Sequence, residues 1–97
     1  MLSVVPADDE EHAIELANDS IYGLNASVFT PDVDRARAVA RRLRSGTVGH
    51  NGMYTDFGVS FGGFKQSGIG REGGIEGLLP FLETKFTVLD GPPSDLA

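Results

Sequence analysis

The sequence predicts a small three-layer α/β fold. A βαβαβ run with parallel strands is followed by a glycine-rich loop, a short helix and a C-terminal strand. Three observations carry this expectation. The apolar period alternates between two and about 3.6 along the first half, the links between the periodic segments are short, and the periodicity fades after residue 51, where glycine takes over.

Ser3 to Val5 is a short apolar start closed by Pro6, and reads as the first strand. Asp8 with Glu11 has the D-x-x-E form of an acidic capping box and opens a helix that runs to about Asn18. Its narrow apolar face is Ala13, Ile14, Ala17 and Leu16. In "GLNASVFT", Leu24, Ala26 and Val28 alternate with Asn25 and Ser27, the period of a strand over 24–29. "TPDVDRARAVARRLRSG" gives the clearest element, a helix over 32–44. Asp32 caps it, Asp34 sits in its first turn, and Val33, Ala36, Val39, Ala40 and Leu43 share one face. Arginines crowd its last turns, and Gly46 is placed to stop it with a left-handed cap. "GTVGHN" supplies a strand over 47–50, in one sheet with 24–29. Residues 52–74 read as a long ordered loop. "IEGLLPFLETK" reads as a short helix whose Pro80 tolerates only a first turn or a kink, and "KFTVL" as the last strand. The domain spans 1–90, and 91–97 is a polar tail.

Ninety-seven residues make at most one domain, with only about 60–65% of the unfolded chain's surface buried. The balance of 8 basic against 14 acidic residues gives a net charge of -6. That argues against general affinity for nucleic acid or for an anionic membrane. The absence of cysteine excludes disulfides, thiolate metal sites and a thiol nucleophile within these residues. No apolar run approaches the ~18 residues of a membrane span, and no signal-peptide pattern follows Met1, so the cytoplasm is the default location.

Several motifs compete for a functional role. Gly68, Gly70 and Gly73 spell G-x-G-x-x-G. The residues before them, Phe64 to Ser67, do not make a buried strand, and no acidic residue follows at the ribose-binding distance. A Walker loop fails because Phe64 stands where lysine is needed after Gly58 and Gly63. The glycines serve instead as a compact loop of positive φ and close backbone approach. Arg35, Arg37, Arg41, Arg42 and Arg44 read as a solvated helix face rather than a nucleic-acid footprint. His12 and His50 have no partner at metal-ligand spacing and read as surface and strand-end residues. No Ser/His/Asp arrangement is recognisable.

"ANDSIYGLNASVFTPDVDRARAVARRLRSGTVGHN" followed by "FGGFKQSGIGREGGIEGLLPFLETK" resembles the C-terminal segment of the NAD(P)-dependent aldehyde dehydrogenases over about residues 3–89. The landmarks are "ANDSIYGL", "SVFT", "GTVGHN" and "FGGFKQSGIGRE". The resemblance implies a fragment of that family's catalytic subdomain, with a last strand that reaches a neighbouring subunit. In such enzymes a cysteine captures the aldehyde, hydride passes to the nicotinamide, and a glutamate activates water for deacylation. By the resemblance, that machinery and the NAD(P)-binding domain lie upstream of Met1. No catalytic residue and no cofactor site is then expected in this chain, and it is expected to be inactive alone.

The resemblance also assigns residues. Phe61 would help line the aldehyde tunnel, with Ser60 replacing the family's usual proline. Asn51 would end the strand that introduces the substrate loop, and Tyr54, Asp56 and Phe57 would fall within that loop. The main-chain carbonyls of Lys65 and Gly68 stand where the betaine-aldehyde branch lines a monovalent-cation site. Gly62, Gly63, Gly68 and Gly70 would be structural glycines of the loop. The expected partners are a second copy, as a dimer with an exchanged C-terminal strand, or an aldehyde dehydrogenase subunit; neither nucleic acid nor membrane is expected. A stand-alone interaction module that kept the fold for binding is the alternative.

Overall fold

The computed structural model describes residues 1–95. Helix α1 (Glu10–Asn18) begins one residue later than the capping box predicts, because Asp9 is the cap. Its carboxylate accepts the His12 N–H at 2.8 Å, and His12 Nδ1 in return accepts the Asp8 N–H at 3.1 Å. The exchange resembles a capping box, with histidine in place of glutamate and with the N–H of the residue before the cap as the donor. Helix α2 (Val33–Ala40) is capped as predicted: Asp32 accepts from the backbone N–H groups of Asp34 and Arg35 at 2.9 and 3.1 Å.

Strands β2 (Asn25–Val28) and β3 (Thr47–His50) flank α2 and pair in parallel, Asn25 opposite Thr47 through Val28 opposite His50. The two stretches expected in one sheet are direct neighbours. The α/β class is therefore present, built around this β–α–β unit. Ile14 from α1 and Ala36 and Val39 from α2 are the buried apolar residues among those described.

Four features depart from the sequence-based expectation. Helix α2 ends at Ala40 rather than near residue 44. Beyond it the chain tightens into three-residue turns, Arg42 N–H to Val39 C=O at 2.9 Å and Leu43 N–H to Ala40 C=O at 3.3 Å. The Asn18 side chain takes over there, donating to Arg42 C=O at 2.9 Å and accepting from Arg44 N–H at 2.8 Å. A distant amide thus competes with the next helical turn. Gly46 is not a left-handed cap, since the positive-φ glycines are Gly68, Gly73 and Gly74. It is glycine because a Cβ there would lie 1.6 Å from Gly62 O.

The long loop contains a strand of its own. β4 (Phe64–Lys65) pairs antiparallel with β1 (Tyr22–Gly23). Finally, neither Ser3–Val5 nor "KFTVL" is a strand; both lack regular structure and make no ladder among the described residues. Their apolar side chains remain open to solvent, Phe86 at 89%. A strand needs a neighbouring edge, and neither segment meets one. The predicted C-terminal helix is split by Pro80 into α3 (Gly74–Leu78) and a 3₁₀ turn (Leu79–Phe81). Proline has no N–H to continue the α ladder, and the Leu82 N–H reaches back only to Leu79 C=O.

The molecule is elongated, 68 × 28 × 22 Å with a radius of gyration of 20.1 Å. A compact domain of this length has a radius near 12–13 Å.

Candidate functional site

The glycine-rich loop is held from several directions. At its base Phe61 and Glu72 exchange two backbone hydrogen bonds, 2.6 and 2.7 Å. Within it, Arg71 Nη1 donates to Gly63 C=O at 2.9 Å and to Gly70 C=O at 2.8 Å. The guanidinium groups of Arg44 and Arg71 lie 5.0 and 5.8 Å from the Phe64 ring centre, within cation–π range. Gly62 and Gly63 are constrained by contact. A Cβ on Gly62 would meet Gly70 O at 2.3 Å, and one on Gly63 would meet Ser67 Cβ at 2.3 Å. Gly68 is required by its φ of 115°, whereas Gly70 has open space around it and no positive φ.

The loop is then fastened to the β–α–β body. Gln66 N–H donates to Ile21 C=O at 2.8 Å, and Gly23 N–H donates to Ser67 Oγ at 2.9 Å. Lys65 Nζ donates to Asn18 C=O and Ser20 C=O at 2.8 and 2.9 Å. This ammonium stands at the C-terminus of α1, where carbonyls lack intrahelical partners and the helix dipole is negative. Lys65 holds a left-handed φ of 55° to reach it, and its own carbonyl accepts the Gly68 N–H at 3.3 Å. The carbonyl at the proposed cation position is thus engaged within the turn.

Above the stapled base lies a hollow of about 260 Å³, lined by Thr55, Asp56, Phe57, Phe61, Glu72 and Gly73. Phe57 and Phe61, assigned to the substrate side from the sequence, both line this hollow, together with Asp56. Phe57 is 92% exposed and Phe61 38%, so the hollow is open to solvent rather than enclosed. Asp56 is partly spent, since its Oδ1 accepts the Gly58 N–H at 2.7 Å. Asn51 does not line the hollow. Asn51 has a φ of 56°; its Oδ1 accepts the Thr30 N–H at 2.9 Å and its N–H donates to Val28 C=O at 2.8 Å, which ties the end of β3 to the β2–α2 turn. Tyr54 also lies outside the lining and packs toward Gly49 and Gly52.

No imidazole, thiol or amine lines this hollow, so it can shape and orient a ligand but offers no activated nucleophile. His50 Nε2 bonds Thr30 C=O at 2.7 Å at the end of β3, and His12 serves the cap of α1. The displaced carboxylate pKa lies elsewhere. A hydrogen bond from Arg42, assisted by its charge, holds the Glu11 carboxyl below its ordinary 4.5, and the guanidinium is raised in return. Glu10–Arg35 ties α1 to α2, and Glu11–Arg42 ties it to the turn that follows α2. The groove between these helices and the end of β2 is larger, about 590 Å³, and is lined chiefly by Ala13, Ile14, Ala17, Phe29, Val39 and Leu43. Its chemistry is that of a packing surface.

The residues present do not fit a dinucleotide. Gly68 leaves a three-residue turn rather than a buried strand, and the helix after Gly73 has only five residues and no side-chain cap. A pyrophosphate cradle needs both parts.

Sequence reasoning missed Asn18, Lys65, Ser67 and Arg71 as the residues that hold the loop. Lys65 and Ser67 reach partners 44 to 47 positions away, so no local period or spacing marks them.

The aldehyde dehydrogenase family profile matches residues 1–87. The chain is 51% identical over 85 residues to the 3-succinoylsemialdehyde-pyridine dehydrogenase of Pseudomonas sp., covering 88% of this chain and 18% of that enzyme. Its fold superposes on the Mycobacterium tuberculosis aldehyde dehydrogenase complexed with NAD+ with a TM-score of 0.77 at 46% identity, covering 87% of this chain and 19% of that one. Apo betaine aldehyde dehydrogenase of Staphylococcus aureus, a G234S mutant, gives 0.81 at 45% identity, covering 91% and 18%. The chain therefore spans about a fifth of the length of its relatives. With residues 1–87 matched by the family profile and its fold shared with solved members, the chain belongs to the aldehyde dehydrogenase family.

Proposed function

We propose that this chain is the C-terminal part of an NAD(P)-dependent aldehyde dehydrogenase, that it forms the substrate-side wall of the active site, and that it is inactive by itself. The observation that carries this is the placement of Phe57 and Phe61 on one hollow above a stapled loop, in a sequence equivalent to 18% of a relative's length. The cysteine chemistry and NAD or NADP binding belong to the rest of the enzyme, whose place of work is the cytoplasm. No described helix is long and apolar enough to cross a membrane.

A second reading is favoured by the open C-terminal arm. Phe81, Phe86 and Val88 are all largely exposed, so in isolation the chain pairs with another copy and acts as an interaction module.

The first reading is tested with purified chain, NAD or NADP and a panel of aldehydes. No cofactor reduction above a protein-free blank is expected, because the covalent step supplies most of the rate enhancement. Turnover that survives repurification would overturn it.

A further inference from the structure

The asparagines of the chain are Asn18, Asn25 and Asn51. An asparagine side-chain amide is open to attack by the backbone nitrogen of the next residue. Glycine there hinders the approach least, because it has no Cβ. Only Asn51 is followed by glycine; Asp19 and Ala26 follow the other two.

The structure separates the three further. The Asn18 amide is held at both ends, by Arg42 C=O and by Arg44 N–H. Asn25 lies inside β2, in the ladder with β3, where backbone rotation would break pairing. Asn51 is exposed and lies one residue beyond β3. Its Nδ2, the group that must leave, and the Gly52 N–H, the group that must attack, have no hydrogen-bond partner among the described residues. Its Oδ1 accepts the Thr30 N–H at 2.9 Å. Thr30 is itself fixed: its C=O bonds His50 Nε2 at 2.7 Å, and its Oγ1 accepts the Asp32 N–H at 3.2 Å. A donor held in place on Oδ1 stabilises the negative charge that forms there as Cγ is attacked.

We propose that Asn51 is a site of spontaneous deamidation in the folded chain. The Gly52 nitrogen gives its proton to solvent base, and its electron pair forms a bond to Asn51 Cγ. The Cγ–Nδ2 bond breaks, and Nδ2 leaves as ammonia with a proton taken from water. Water then opens the cyclic imide at one of its two carbonyls. Opening at Cγ gives aspartate, whose carboxylate can still accept the Thr30 N–H. Opening at the main-chain carbonyl gives isoaspartate and adds a carbon to the backbone between β3 and the loop that lines the hollow. The Gly52 carbonyl is closely packed there. It accepts Ser27 Oγ–H at 2.9 Å, and a Cβ on Gly49 would lie 2.0 Å from it. Isoaspartate therefore pulls this carbonyl away from β2 and β3.

The test holds the intact, folded chain at mildly alkaline pH and then digests it with trypsin, which cuts after Arg35, Arg44 and Lys65. Residues 45–65 carry Asn51, and residues 1–35 carry Asn18 and Asn25. By mass spectrometry the 45–65 peptide is expected to exchange NH for O at least about tenfold faster than the 1–35 peptide, and to split into aspartate and isoaspartate forms. Gly52→Ala separates attack by the backbone nitrogen from direct hydrolysis by water. Its added Cβ meets the Tyr54 ring only at 3.4–3.5 Å, an ordinary contact, so the fold is kept and the conversion should slow by about tenfold. An intact 45–65 peptide in the folded chain overturns the proposal, as does conversion that appears only once urea has unfolded it. Equal rates in the two peptides, or an undiminished rate in Gly52→Ala, do the same.

Discussion

Replacing Asn18 with alanine should loosen the junction between α1 and the start of β3 more than any other single polar truncation. The side chain donates to Arg42 C=O at 2.9 Å and accepts from Arg44 N–H at 2.8 Å. Two net hydrogen bonds at about 1 kcal/mol each give a loss of roughly 2 kcal/mol. Local opening that frees the Arg44 amide should then become about 30-fold more frequent. Asn18→Asp separates the two contributions, since a carboxylate still accepts from Arg44 N–H but can no longer donate to Arg42 C=O. Its exchange should be faster than in the parent and slower than in Asn18→Ala. Site-resolved hydrogen exchange at Arg44 is the assay, with the Asp34–Ala40 amides as an internal reference. Acceleration below about threefold in Asn18→Ala would refute the claim that this amide ends α2 early.

Gly46→Ala places a Cβ on Gly62 O and should cost about 3 kcal/mol in denaturant unfolding, the upper end of an overpacked site. Gly70→Ala, with nothing within 4 Å, should stay within ~0.5 kcal/mol; equal effects would contradict the loop packing. Glu11 is depressed in the folded chain by Arg42, so its contribution is complete above its ordinary 4.5 and fades as pH falls through the lower folded value. Arg42→Met should return the Glu11 titration, followed by side-chain NMR, to about 4.5, and an unchanged curve would remove the pair from the α1–α2 contact. Phe86→Lys or Val88→Lys should reduce assembly size in light scattering, because both side chains stand open on the arm. A stable monomer of the unmodified chain at tens of micromolar would exclude that route.

Local chemistry alone determined the start of α2, that of α1 to within one residue, the β–α–β core and the break at Pro80. Asp32 caps α2 with atoms two and three residues away, and the apolar period of 33–43 needs no partner to be legible. The long, ordered motifs likewise carried the family. What the tertiary structure decided are the features whose partners lie far along the chain. The end of α2 depends on Asn18, the loop's anchorage on Lys65 reaching α1, and the identity of Gly46 on the carbonyl of Gly62. Asn51 was placed correctly at the strand end, yet its amide is spent on Thr30 rather than on the hollow. Ser3–Val5 and "KFTVL" have the composition of strands, but composition supplies only one side of a ladder. Pairing requires an edge at hydrogen-bonding distance, and among the described residues no strand pairs with them.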